Sequence, residues 1–135
     1  MSMFILHPQL ANDTVWVSDL ELCQVLLMND ANYPWLILVP RIADLREVYQ
    51  LTTEQRHLLW NESDRVSKVL VQLFNPTKLN IAALGNMVSQ LHIHHIARFN
   101  TDAAWPAPVW GKLPAQTYMA EVLEQRLKQL REVLA

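Results

Sequence analysis

Ten consecutive residues constrain this chain more than any others: Ser89-Gln90-Leu91-His92-Ile93-His94-His95-Ile96-Ala97-Arg98. Three of the five histidines fall here within four positions, interleaved with aliphatic side chains. Successive side chains of a strand point to opposite faces. A strand over Leu91 to Phe99 therefore places Gln90, His92, His94 and Arg98 on one face. Leu91, Ile93 and Ala97 share the other face with His95. Polar groups are costly to bury without partners, so the polar row is expected to line a cleft or a hydrogen-bonded network.

On the residues alone, three readings of this row stay open. The histidines can be satisfied or exposed side chains without chemistry. They can be metal ligands, since His-x-His on a strand offers two. A catalytic zinc usually takes three protein ligands, for which His7 or His57 would be the candidates. Or adjacent imidazoles, which titrate near neutrality, can attack phosphorus and move protons.

The remaining chain supplies the frame. With 135 residues, one domain over 1–135 is expected, large enough to hold a core without disulfides. Mean hydropathy of +0.05 is high and suggests that apolar surface ends in a subunit interface. Trp35-Leu36-Ile37-Leu38-Val39 is a continuous apolar run closed by Pro40 and reads as a buried central strand. Phe4-Ile5-Leu6, Val15-Trp16-Val17, Leu22 to Leu27 and Lys78 to Leu84 read as further strands or fragments. Thr52 and Gln55 have capping-box spacing. From there Leu58, Leu59, Val66, Val69, Leu70, Leu73 and Phe74 recur at helical intervals up to Asn75-Pro76. Ala43 to Leu51 is expected to form a short preceding helix. Met119, Val122, Leu123, Leu127, Leu130, Val133 and Leu134 form the stripe of an amphipathic C-terminal helix over about 115–135. Strands and helices are segregated, so the expected class is α+β with a mostly antiparallel sheet.

Several function classes are disfavoured. The longest apolar run falls far short of the roughly 20 residues needed to span a bilayer. A signal peptide is not expected at the N-terminus, because no basic segment precedes a long apolar run. Cys23 is the single cysteine, so no internal disulfide or thiolate metal site is expected. The default compartment is then the reducing cytoplasm, and Cys23 itself reads as a core residue. A net charge of -2 argues against a nucleic-acid partner. Gly85 and Gly111 are the only glycines, which excludes a Gly-rich phosphate loop.

At residues 90–96 the segment resembles the histidine-triad (HIT) superfamily of nucleotidyl hydrolases and transferases. The family motif is His-φ-His-φ-His-φ-φ, φ being apolar. Here it reads Gln-Leu-His-Ile-His-His-Ile. The middle histidine falls on His92 and the last on His94; Gln90 replaces the first. Arg98 falls where many members carry a basic residue. Residues Trp35 to Arg41 resemble the family's buried strand ending in Pro-Lys. Asn80 followed by Gly85-Asn86 resembles its Asn strand and phosphate loop. The likeness in order and spacing runs from about residue 4 to 112.

The resemblance implies a HIT-like fold and cleavage of a nucleoside phosphate derivative, such as a dinucleoside polyphosphate or phosphoramidate. His92 would attack phosphorus and form a nucleotidyl-imidazole. His94 would contact the phosphate or leaving group, and Gln90 would help orient His92. Asn86, Ser89 and nearby backbone N–H groups would hold phosphate oxygens. Asn29 would meet the ribose, with Asn80 and Arg98 as further substrate contacts. No cofactor or metal is implied; a homodimer is. Two departures, Gln90 and Trp35 (a position where several members have another histidine), leave an alternative: a catalytically weak or inactive nucleotide-binding or interaction module. The loop from Trp105 to Trp110 either stacks on a base or covers the core.

Overall fold

The computed structural model describes residues 3–135; Met1 and Ser2, part of the expected domain, lie outside the described residues. A short helix α1 (Pro8–Asp13) leads into β1 (Thr14–Asp19), β2 (Cys23–Met28) and β3 (Trp35–Pro40). The long helix α2 (Thr53–Phe74), β4 (Lys78–Ala82), β5 (Ile93–Arg98) and helix α3 (Ala120–Leu134) follow. The strands form one sheet in the order β1-β2-β3-β5-β4, with every pairing antiparallel. The class is α+β, with α2 and the amphipathic α3 on the sheet.

β3 and β5 are buried along their whole length, and each has strand neighbours on both sides. That explains why Trp35 to Pro40 reads as an unbroken apolar run. Alternation divides the apolar side chains into two clusters. One contains Leu36, Leu38, Ile93 and Ala97 with Leu59, Val66 and Leu70 of α2 and Leu127, Leu130 and Leu134 of α3. The other contains Leu26, Trp35, Ile37, Ile96, Val88 and Val109. The histidine row therefore lies on the face without the two long helices, under the loops before β5 and after it.

α2 starts where the capping box sets it: the Thr52 hydroxyl accepts from the Gln55 N–H, and the Gln55 side chain accepts from the Thr52 N–H. It ends at Asn75 in the left-handed conformation, φ 47, just before Pro76. Inside it, the buried Glu62 carboxylate accepts from the N–H groups of Leu22 and Cys23, tying the helix to the β1–β2 turn. Cys23 is fully buried, and burial raises its thiol pKa far above the ordinary range, as does neighbouring Glu62.

Five expected boundaries need correction. Residues 4–6 form no strand; Phe4 and Leu6 instead pack on the second apolar cluster. α1 follows with Pro8 at its first turn and the His7 ring capping the Gln9 N–H. Over 43–51 only a one-turn 3-10 helix forms at Val48–Gln50, and Asp44 has φ 58, which a continuous helix does not allow. β4 stops at Ala82 rather than Leu84. β5 begins at Ile93 rather than Leu91, because the Leu91 N–H bonds to the Leu45 carbonyl instead of a strand neighbour. Finally, α3 begins at Ala120, not near 115. The backbone before it is committed elsewhere: the Gln116 carbonyl accepts from Ala31, and the Tyr118 N–H donates to Asn29.

Candidate active site

The site forms where the loop after β4 returns into β5 beside β3. Gly85, at φ 113, turns that loop, a conformation that side-chain-bearing residues rarely adopt. Val88 then packs into the second apolar cluster and fixes the loop's return. His92 stands immediately before β5 and His94 within it. Their rings meet edge to face with centroids 4.8 Å apart. Both side chains are nearly closed off, at 6% and 4% exposure, yet both line one cavity of about 260 Å³ with Asn86, Val88 and Trp110.

Hydrogen bonds settle the His92 tautomer. Its Nδ1 lies 2.6 Å from the carbonyl of Gln90. A carbonyl only accepts, so Nδ1 carries the hydrogen and Nε2 the lone pair. Burial lowers the His92 pKa, and nearby His7 adds to that, against an opposing effect of the Gln90 carbonyl. The ring stays neutral and nucleophilic near pH 7.

His94 faces an indole. Trp35 Nε1–H donates to His94 Nδ1 at 3.0 Å, and Trp110 stands edge-on to the same imidazole, centroids 5.1 Å apart. Burial, then the neighbouring His92 and His95, push the His94 pKa down to about 3. His95 points to the opposite face. Its Nδ1 lies 3.1 Å from the Ile93 carbonyl and its Nε2 2.7 Å from the Ser63 hydroxyl of α2. Both ring nitrogens are committed, exposure is nil, and burial takes the pKa down to about 4.

A second cavity, of about 410 Å³, lies beyond the tryptophans and is lined by Asn12, Met28, Asn29, Asp30, Trp35 and Trp110 among others. Trp110 is common to both cavities. Asn29 lies at this second cavity, and its Oδ1 holds the Tyr118 N–H. Asp30 braces the same turn, accepting from Asn32 and Gln116.

The other anticipated residues divide. Asn86 lies at the histidine cavity. Ser89 is exposed and lines a separate hollow with His7 and Arg46. The side chain of Gln90 does not reach His92. It clamps the N-terminal segment, donating to the Ile5 carbonyl and accepting from the His7 N–H; its contribution to His92 is its backbone carbonyl. Arg98 and Asn80 do not reach the histidine cavity. Arg98 makes a two-pronged pair with Asp102 at 2.8 and 3.0 Å and donates to Asn80 Oδ1, with the rings of Tyr33 and Trp105 each 5.6 Å away. Its side chain is 2% exposed, so its donors are taken up inside the protein. The two indoles of the Trp-Pro loop thus do different things: Trp105 covers Arg98 and Trp110 walls the cavities.

Sequence reasoning missed Asp102, Ser63 and the indole–imidazole bond. Asp102 carried a signal, lying four residues beyond Arg98 in a turn. Ser63 carried none, because it comes from another element; Trp35 stood out by its position, but its bond to His94 could not be read from the sequence. The metal reading also needs His7 or His57 as a third ligand. The Nδ1 of His7 is taken by the Gln9 N–H, His57 lies on α2, and no group of three or more potential ligands occurs among the described residues.

Comparison with known proteins gives this geometry a family. The model of the HIT domain matches residues 9–101. The chain belongs to the HIT domain family. Among solved structures, a histidine triad protein from Marinobacter aquaeolei is 49% identical, with 98% of this chain and 97% of that one covered and a TM-score of 0.96. One from Bradyrhizobium japonicum is 45% identical, with 99% and 100% covered and a TM-score of 0.97. A third, from Sinorhizobium meliloti, is 42% identical over 96% of each chain, TM-score 0.93. No curated protein matches the chain. Within this HIT domain no helix among the described residues is long and apolar enough to cross a membrane.

Proposed function

We propose that this HIT protein is a nucleotidyl hydrolase or transferase that cleaves nucleoside phosphate derivatives through a covalent intermediate on His92. The observation that carries the reading is the His92 Nδ1 bond to the Gln90 carbonyl beside a cavity, which leaves Nε2 with its lone pair. In the first step that pair attacks the α-phosphorus. A P–N bond forms, and the bond to the leaving group breaks with its electrons going to that group. The positive charge gained by the imidazole is shared through Nδ1–H with the Gln90 carbonyl. In the second step water attacks phosphorus, the P–N electrons return to Nε2, a proton passes to solvent, and the nucleoside monophosphate departs.

His94 supplies the leaving group or phosphate with a hydrogen bond or proton. Asn86 borders the phosphate, and Asn29 with Trp110 borders the nucleoside in the larger cavity. The reading places the protein in the cytoplasm as a homodimer. Exposed Ile81, Leu84 and Met87 on and after edge strand β4 support the dimer, and light scattering checks it.

The test is a panel of adenosine phosphoramidate and dinucleoside polyphosphates. Wild type should release AMP from at least one panel member and, after rapid denaturation, carry a covalently bound nucleotidyl group; His92→Ala should do neither, losing at least about 10³-fold in rate. Equal turnover in both proteins removes His92 from the chemistry. One observation favours a second reading, a nucleotide-binding module with little activity: Gln90, in the first triad position, is turned to the N-terminal segment. AMP binding by calorimetry without turnover of any panel member would select it.

A further inference from the structure

We propose that Trp35 locks His94 as a neutral hydrogen-bond donor and thereby confines the reaction to leaving groups that depart as stable anions. This rests on the nucleotidyl-transfer reading above. The indole N–H can only donate. At 3.0 Å from it, His94 Nδ1 must present its lone pair, so the one ring hydrogen sits on Nε2. The two imidazoles of the site are thus fixed in opposite tautomers: Nδ1–H in His92, with a nucleophilic Nε2, and Nε2–H in His94, with a donor.

The same bond opposes an imidazolium at His94. A second hydrogen on Nδ1 would face the indole hydrogen, replacing an attraction by two opposed donors. Trp35 is poorly placed to turn away. It is 6% exposed, paired to Ile96 across the sheet, and flanked edge-on by Tyr33 and Trp110 at 6.4 and 5.9 Å. The titratable groups acting on His94 are His92 and His95, both imidazoles and neither a carboxylate that would favour a cation. Burial acts in the same direction.

The chemical consequence concerns the leaving group. When His92 Nε2 bonds to phosphorus, an oxygen leaving group takes the electron pair of the P–O bond and departs as an anion. His94 Nε2–H stabilises that anion by a hydrogen bond, and no proton changes hands. Phosphates and nitrophenolate tolerate this. The amine of a phosphoramidate does not, because without a proton it would depart as an amide anion, and a neutral imidazole is far too weak an acid to prevent that. The specificity determinant is therefore the indole N–H, which acts on the leaving group only through His94, and in this respect Trp35 is a positioning residue.

Two measurements test this. In ¹⁵N-labelled wild type, the two-bond nitrogen–proton spectrum should show His94 as the Nε2–H tautomer from about pH 8 to pH 5, and His92 as Nδ1–H. An Nδ1–H form, or an imidazolium at about pH 6, overturns the proposal without any appeal to activity. Second, kcat/KM for adenosine 5′-(4-nitrophenyl phosphate) and for adenosine 5′-phosphoramidate should differ strongly in wild type. In Trp35→Phe, which keeps an aromatic ring but lacks the N–H, that ratio should shift at least about tenfold toward the phosphoramidate. A merely structural role would lower both rates and leave the ratio unchanged, which overturns the proposal. So does rapid wild-type cleavage of the phosphoramidate, which leaves the nucleotidyl-transfer reading intact. No turnover of either substrate sinks that reading and the leaving-group argument together, while the tautomer is still decided by the spectrum.

Discussion

His94 and His95 are consecutive residues of β5, both almost inaccessible to water and both depressed in pKa mainly by burial. The strand turns them to opposite faces, and there the likeness ends. His95 enters the helix-packed side, where a carbonyl takes one ring nitrogen and the Ser63 hydroxyl takes the other. His94 enters the loop-covered side, where Trp35 takes Nδ1 and Nε2 remains for the cavity. Burial and a shifted pKa therefore do not mark a reactive histidine. The mark is a ring atom that the protein leaves without a partner beside a cavity.

The largest effect expected from this pair is on acid stability. Unfolded histidines titrate near 6.5, whereas folding holds His94 near 3 and His95 near 4. The unfolded chain therefore binds more protons below pH 6.5, and stability falls as the pH drops through that window toward the folded values. By pH 4 the two together should remove on the order of 5 kcal/mol, seen as a lower urea midpoint than at pH 7. An unchanged midpoint would show that both rings accept protons in the folded state and that the contrast between their nitrogens is irrelevant to energetics.

Arg98 sharpens the contrast from within the His94 face. It lies four residues further along the same face, yet its donors are taken by Asp102 and Asn80 under two aromatic rings. Burial alone would raise the Asp102 carboxyl; the bonds from Arg98 and from the Phe99 and Trp105 N–H groups outweigh it and hold the pKa below its usual value. Arg98→Ala strands that carboxylate and should cost about 3–5 kcal/mol in urea unfolding. A stable Arg98→Ala protein with a raised KM would instead return the arginine to substrate binding.

The same particulars show what a linear sequence can carry. Alternation along residues 90–98 assigns each histidine its face, because strand geometry is local. The run from Trp35 to Pro40 and the capping box at Thr52 are likewise local signals, and they mark β3 and the start of α2. The partners of those residues are not local. Ser63 meets His95 across 32 positions, Trp35 meets His94 across 59, and Gln90 meets His7 across 83. The side chains of Arg98, Asn80 and Gln90 find their partners away from the histidine cavity for that reason. Their side chains suit a phosphate site, but what they bind is decided by which segments the sheet and the N-terminal arm bring near. α1 was hidden by its own shortness, and α3 starts late because the turn at Asn29 claims the backbone before it.

Ser63→Ala tests the passive member of the pair. It leaves the buried Nε2 of His95 without its hydroxyl and should cost about 1–3 kcal/mol, with kcat/KM held within about twofold. Loss of activity without loss of stability would mean that the helix-side imidazole communicates with the cavity, and that the two faces of β5 are not independent.

The smallest effect is expected at Trp110, where the open side of the comparison meets its ligand. The indole is 36% exposed, stands edge-on to both His94 and Trp35, and walls both cavities. An aromatic wall beside a nucleoside typically contributes about 1 kcal/mol, so Trp110→Leu should raise KM roughly fivefold while kcat and the urea midpoint stay close to wild type. The split matters more than the size. A change confined to KM assigns Trp110 to holding the nucleoside, since an interaction equal in ground and transition states alters binding alone. A fall in kcat would mean that the indole also orients His94. The positioning attributed to Trp35 would then be shared between the two tryptophans that flank the imidazole.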